Sequence, residues 1–172
     1  MATLDERISM SPTPTSVVFV CKKHGGKSQL AAARLRAIAD ETVEVSSAGT
    51  SPGGALNAES VESLAELGID VGDEHPKPLT PAMLAGADLV VILGDEAQLP
   101  EHTSVPVERW ITDEPSARGI VGMERMRLVR DDIRARVAGG AQQRRGRCPG
   151  GGITPRSGRA PPPGARGGGG GR

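Results

Sequence analysis

Val17-Val18-Phe19-Val20-Cys21-Lys22-Lys23-His24-Gly25-Gly26-Lys27-Ser28 runs directly into Gln29-Leu30-Ala31-Ala32-Ala33-Arg34-Leu35-Arg36. The first four residues form a short, wholly apolar run, as expected of a strand buried on both faces. The last eight are mostly Ala, Leu and Arg, which favour helix. A strand that ends in a cysteine, a short loop holding two glycines and a helix N-terminus therefore follow one another. Backbone N–H groups of such a loop converge on a tetrahedral oxyanion, and the helix dipole favours the negative charge. The same field favours a thiolate at Cys21. The chemistry suggested is attack of that thiolate on a phosphate-like centre.

Each loop residue then has an expected part. Cys21 is the candidate nucleophile; the alternative is an inert buried cysteine, common because free Cys is among the most buried residue types. Residues 22 to 27 offer backbone N–H groups, and Gly25 and Gly26 let the chain curl closely around an anion. Lys27 neutralises charge on the non-bridging oxygens. Lys22 and Lys23 are either rim charges that steer anions or a solvated pair without a role. His24 belongs to the oxyanion loop, as a pH-sensitive residue or a merely structural one. A nucleotide-binding reading of Gly25-Gly26-Lys27-Ser28 fails, because the motif needs a first glycine where Cys21 stands.

Outward from the loop, strand and helix patterns alternate. Leu89–Leu93 is a second apolar run, Val43–Val45 a shorter candidate, and Val105–Trp110 an edge candidate interrupted by Pro106. Helices are expected over Ser28–Ala39, over Ala58–Leu67 with Asn57 as cap and Gly68 as stop, and over Pro81–Ala87 with Thr80 as cap. A further helix, Met123–Val137, aligns Met126, Val129, Ile133 and Val137 on one face. In Ala58–Leu67 the inward face is expected to hold Val61, Leu64 and Ala65. The alternation predicts an α/β layered domain with a parallel sheet. Ligands of such sheets sit beyond the carboxyl ends of the strands. That edge would gather Cys21, the loop after Leu93 and the loop Asp113–Pro115.

The Cys-x5-Lys-Ser spacing resembles the Cys-x5-Arg-Ser/Thr loop of the low-molecular-weight protein tyrosine phosphatases and of the arsenate reductases built on that fold. Ser46-Ser47-Ala48-Gly49-Thr50, Asp88–Gly94, Trp110–Ser116 and Gly122–Ile133 resemble further family segments in the same order. The wording Gly-Gly-Lys-Ser-Gln is most similar to the actinobacterial arsenate-mycothiol transferases. The resemblance covers residues 16–138 and implies a three-layer sandwich around a central four-stranded parallel sheet. It also implies that Ser28 bonds the Cys21 sulfur, against the plainer alternative of a helix cap. Glu114, directly before Pro115, stands where the family has its general acid, with Asp113 as the neighbouring candidate. Two departures stand out. Lys27 replaces the usual arginine and offers a point charge instead of a planar fork. His24 replaces an asparagine that tolerates positive φ and ties the loop together, which predicts a weaker tie here.

The chain has 172 residues, no Tyr, one Phe and one Trp. Phosphotyrosine recognition wants aromatic walls, so the composition disfavours that substrate. The thioredoxin-coupled reductases of the family carry two extra cysteines after the third strand, where this chain has Gly94-Asp95-Glu96-Ala97-Gln98; its other cysteine is Cys148. The resemblance therefore implies mycothiol as co-substrate, a mycoredoxin-like reductant as partner, and arsenate or phosphate as the bound oxyanion, with no tightly bound cofactor. A phosphatase and a non-catalytic oxyanion-binding module remain the alternatives. His24, His75 and His102 lack ligand spacing, so no metal is expected.

Residues 1–138 hold 14 basic and 21 acidic residues, whereas Gly139–Arg172 hold seven arginines and no acid. An acidic body does not suggest nucleic-acid binding. Residues 1–15 read as a polar leader, and 139–172, rich in Gly, Arg and Pro, as a disordered tail. That composition fits a basic arm, a passive tail, or a G+C-rich coding sequence read out of frame. No apolar run is long enough for a membrane span, and a reactive thiol points to the reducing cytoplasm.

Overall fold

The computed structural model describes residues 15–145. Four strands, β1 (Thr15–Cys21), β2 (Val43–Gly49), β3 (Leu89–Leu93) and β4 (Val107–Trp110), form one sheet in the order β2-β1-β3-β4. Every pairing is parallel. Val17 lies opposite Val45 on one side and Leu89 on the other, and Leu93 lies opposite Trp110. Helices α1 (Lys27–Ile38), α2 (Ala58–Ala65), α3 (Pro81–Ala85) and α4 (Gly122–Arg145) supply the crossovers and the outer layers. This is the expected α/β sandwich with a four-stranded parallel sheet.

The two-residue period of a strand divides the core. Val17, Phe19, Cys21, Val91 and Leu93 face the side covered by α1 and α4, where they meet Leu30, Leu35, Leu64, Val129 and Ile133. Val18, Val20, Val90 and Ile92 face the other side and meet Met83, Leu84 and Leu99. Phe19 and Trp110 pack at 5.9 Å between ring centroids, tilted by 58°, a favourable aromatic geometry. Because β1 and β3 are central and covered on both faces, their sequences are continuous apolar runs rather than alternating ones.

Several boundaries differ from the sequence reading. β2 extends from Val45 to Gly49, because Ser46–Gly49 pair in register with Val18–Cys21. Thr15, assigned to the leader, opens β1 opposite Val43. The inward face of α2 is Ser60, Ser63 and Leu64; Ala65 is exposed and Val61 only half-buried. The two serines are buried because their hydroxyls find partners, Met126 Sδ for Ser60 and the Ser60 carbonyl for Ser63. α4 buries Met126, Val129, Ile133 and Val137 as expected but continues to Arg145, into the segment read as tail. Ala141-Gln142-Gln143-Arg144-Arg145 are good helix formers and carry the helix past Gly139-Gly140. Most of the expected leader and the tail beyond Arg145, Cys148 included, lie outside the described residues. No helix among the described residues is long and apolar enough to cross a membrane.

Candidate active site

The carboxyl end of β1 delivers Cys21 to the floor of a cavity of about 450 Å³. Its sulfur lies 2.9 Å from Ser28 Oγ, and both residues are buried. Ser28 does not cap α1: Gly26 holds the N-cap position and no side chain caps the helix. The hydroxyl is thus directed at the sulfur, where it can donate to a thiolate.

The loop is held open by its neighbour. The carbonyls of Cys21, Lys22, Lys23 and Gly25 accept hydrogen bonds from the N–H groups of Thr50, Ser51, Gly53 and Asn57, at 2.6 to 3.1 Å. Each planar trans peptide points its N–H opposite to its carbonyl. The N–H groups of Lys22, Lys23, His24 and Gly26 are therefore turned away from that segment, toward the inside of the loop. Asn57 also caps α2 by accepting from Ser60 N–H. One segment, 50–57, thus anchors both the anion loop and the following helix.

Of the two readings given for His24, its surroundings fit the structural one. Its side chain is fully buried behind the loop, does not line the cavity and leaves only its backbone N–H for an anion. Its φ is +51°, the left-handed region that the family's asparagine would tolerate. Nδ1 accepts from Lys77 N–H at 2.9 Å, which puts the proton of the neutral ring on Nε2. Nε2 then donates to Ser47 Oγ at 2.8 Å, with the Gln29 amide 3.0 Å away. Burial first, and the nearby Lys77 charge second, push its pKa down from 6.5 to about 4. The ring thus joins α1, β2 and the segment at Lys77.

The acid loop follows β4. Glu114 lines the cavity and Asp113 does not. Asp113 points outward into a two-pronged pair with Arg118, at 2.7 and 2.8 Å. Those hydrogen bonds lower its pKa, and its position removes it as the acid for this cavity. Glu114 Oε2 accepts from Lys27 Nζ at 3.0 Å. Its Oε1 accepts from Arg125 Nη2 at 2.7 Å and Nε at 3.0 Å, and from Ser116 Oγ at 2.8 Å. Partial burial opposes its ionisation, but the bonds from Arg125, Lys27 and Ser116 outweigh that and hold its pKa at about 2. Held by these donors, Glu114 is a carboxylate and not an acid.

Arg125, in the first turn of α4, was not among the residues singled out from sequence. It shares its helix with six other arginines, and nothing in the linear pattern distinguishes it; only the packing of α4 beside the loop brings it to the cavity. Lys22 and Lys23 are exposed at the rim, where Lys22 Nζ meets Glu96 at 3.4 Å. Asp95 and Glu96 are exposed and line the same rim. Arg109 bonds the carbonyls of Gly94 and Ala97 and fixes that stretch after β3. Trp110 is buried in the core and offers the cavity no aromatic wall. No group of three or more His, Cys, Asp or Glu suited to a metal occurs among the described residues.

A parallel α/β sheet with a strand-end cysteine in an anion-binding loop, a basic residue six positions later and a carboxylate from the far edge defines a class of cysteine-dependent oxyanion enzymes. Residues 16–107 match the family model for low molecular weight phosphotyrosine protein phosphatases, and the chain belongs to that family. It is 31% identical over 128 residues to a putative arsenate reductase of Halobacterium salinarum, covering 72% of this chain and 88% of that protein. It is 33% identical over 127 residues to an arsenate reductase of Shouchella clausii, covering 70% and 91%. Among solved structures, it is similar to a thioredoxin-dependent arsenate reductase of Corynebacterium glutamicum, with a TM-score of 0.65 and 26% identity. That match covers 77% of this chain and 63% of the Corynebacterium chain, so less than two thirds of the latter's length is represented. An arsenate reductase in the phosphate binding state shares the fold at a TM-score of 0.66 and 23% identity.

Proposed function

We propose that the protein handles arsenate as an arsenate reductase-type enzyme and passes the arsenic to an external low-molecular-weight thiol, mycothiol being the candidate. The observation that carries this reading is the cavity itself. It presents one thiol, Cys21, with Ser28 on its sulfur, and the cations Lys27 and Arg125 beside it. The relatives described as arsenate reductases support the oxyanion. The sequence from Gly94 to Gln98 has no cysteine, and Cys21 is the free cysteine among the described residues. Among the described residues Cys21 thus has no second cysteine with which to begin an internal disulfide relay, which supports an external thiol as the source of the sulfur.

The balance is simple. The Cys21 thiol and arsenate give an enzyme-bound thiol–arsenate adduct and water: an As–O bond breaks, an S–As bond forms, and the thiol's proton leaves with the oxygen; the external thiol then displaces Cys21 at arsenic, its As–S bond forming as the Cys21 bond breaks and its proton returning to Cys21. Glu114, once protonated, is placed to relay that proton to the departing oxygen. A dithiol reductant of the mycoredoxin class then attacks the adduct's sulfur. Two electrons pass to arsenic, arsenite leaves, and a mixed disulfide remains. Lys27 and the loop N–H groups stabilise charge on the oxygens that stay. The reaction belongs in the cytoplasm, where thiols are kept reduced.

The test is arsenite formation by the purified full chain with arsenate, mycothiol and mycoredoxin, beside hydrolysis of an aryl phosphate without thiol. Thiol-dependent arsenite release with weak hydrolysis is expected. Hydrolysis alone would assign the protein to phosphoester chemistry, which the family also supports. Silence in both assays, with phosphate still bound, would leave a binding module.

A further inference from the structure

We infer that Arg125 is an oxyanion-binding residue, and that its guanidinium exchanges Glu114 for the bound anion. The inference rests on the oxyanion reading above and deepens it. The loop lacks the arginine usual at position 27, and Lys27 offers only a point charge. Yet a guanidinium lines the cavity, brought from α4 instead of from the loop. Its Nε and Nη2 both converge on one oxygen, Glu114 Oε1, while Lys27 Nζ holds Oε2. A carboxylate held by a fork and an ammonium presents oxygens much as a tetrahedral oxyanion does. Glu114 thus engages the two cations that an entering oxyanion would seek.

The three charges cannot keep this arrangement once a doubly charged anion arrives. A dianion and a carboxylate at close quarters repel, and the carboxylate loses the donors that kept it ionised. Lys27 and Arg125 turn to the anion, and Glu114 is left beside negative charge, where a proton is favoured. Oxyanion entry thereby converts a counter-ion into the acid that the chemistry needs. Arg125 is held at one end by the first turn of α4, and its side chain is about a quarter exposed, so it can swing without leaving the cavity wall.

The alternative is that Arg125 serves only to hold Glu114, and removing Arg125 in a background without Glu114 separates the two. Inorganic phosphate and arsenate are titrated calorimetrically into full-length wild type, Glu114→Ala, and Glu114→Ala/Arg125→Gln, with melting curves to verify folding. Glu114→Ala removes the competing carboxylate, so phosphate should bind more tightly than to wild type. In that background the further loss of Arg125 should weaken binding by roughly ten- to hundredfold, the worth of charge-assisted hydrogen bonds. Equal affinity of the single and double variants would overturn the assignment while leaving the oxyanion site intact. Glu114→Ala/Arg125→Lys, which keeps the charge and fits the space conservatively, should recover only part of the affinity. If wild type and every folded variant fail to bind either anion, the oxyanion reading itself falls, and this inference with it.

Discussion

At position 21 a hydroxyl can replace the thiol with little change of volume and still meet Ser28 Oγ, so the two roles of the residue are separable. Cys21→Ser should bring thiol-dependent arsenite formation down to background. Its melting temperature should stay within about 4 °C of wild type, because the packing of β1 is untouched. Turnover that survives in this variant would remove the nucleophile assignment. Ser28→Ala probes the partner. The hydroxyl is 2.9 Å from the sulfur and does not cap α1. Its loss should lower kcat by roughly ten- to hundredfold through a weaker hydrogen bond to the thiolate, with KM for arsenate little changed. A larger effect on KM than on kcat would instead place Ser28 in anion binding.

The ends of elements shape the site more than their middles. β2 terminates in Gly49, where an added Cβ would lie 2.8 Å from the Lys22 carbonyl and 2.8 Å from His24 Cβ. The first of these is backbone and cannot give way. Gly49→Ala should therefore displace the anion loop, cost about 2 kcal/mol or more, and weaken phosphate binding. Gly54→Ala, with nothing within 4 Å of the added atom, serves as the control and should do neither; equal behaviour of the two would refute the close approach. Element type was legible where local preference and burial agree. β1 and β3 are apolar runs, Asn57 and Thr80 cap their helices, and α4 keeps its apolar stripe. It was illegible where a polar group is buried through a distant partner. The apolar pattern of β2 stops at Val45, and Ser46–Gly49 is strand through its pairing with β1, as the family resemblance implied. The inward face of α2 is serine, because Met126 accepts the Ser60 hydroxyl. In the site, the cysteine loop follows from its spacing and Glu114 from the family resemblance, and the choice of Glu114 over Asp113 required the outward pair with Arg118. His24 and Arg125 depend on contacts with Ser47, Lys77 and Glu114 that are remote in sequence, and no local pattern encodes them.

For the whole molecule the histidine tie becomes a pH dependence. The unfolded chain titrates this residue at its ordinary 6.5, and the folded chain only at about 4. Between these values the unfolded state takes up a proton that the folded state refuses, so stability falls as pH is lowered through that window and His24 adds nothing further below it. Refusing the proton costs on the order of 3 kcal/mol in full, of which about 2 kcal/mol is already lost at pH 5. The charged and titratable groups that act on the ring are Lys77, Glu74, His75 and Arg36, and of these Lys77, His75 and Arg36 reinforce the effect while Glu74 opposes it. Carboxylates act later. Glu66, hydrogen-bonded by Arg127 and Arg130 across α2 and α4, and Glu114 both have folded values of about 2 against 4.5, so their contributions are complete above 4.5 and decline toward pH 2. Acid destabilisation should therefore come in two stages, the first belonging to the anion loop. Thermal melts from pH 7.5 to pH 5 should show wild type losing roughly 5–10 °C. His24→Asn tolerates the positive φ but has no titrating group. It should start less stable at pH 7.5, since it cannot bridge Ser47 and Lys77, and then vary far less over the same range. Parallel slopes for the two proteins would show that the ring is not what couples proton uptake to unfolding, whereas a flat variant would make the loop that cradles the oxyanion the most acid-sensitive part of the fold.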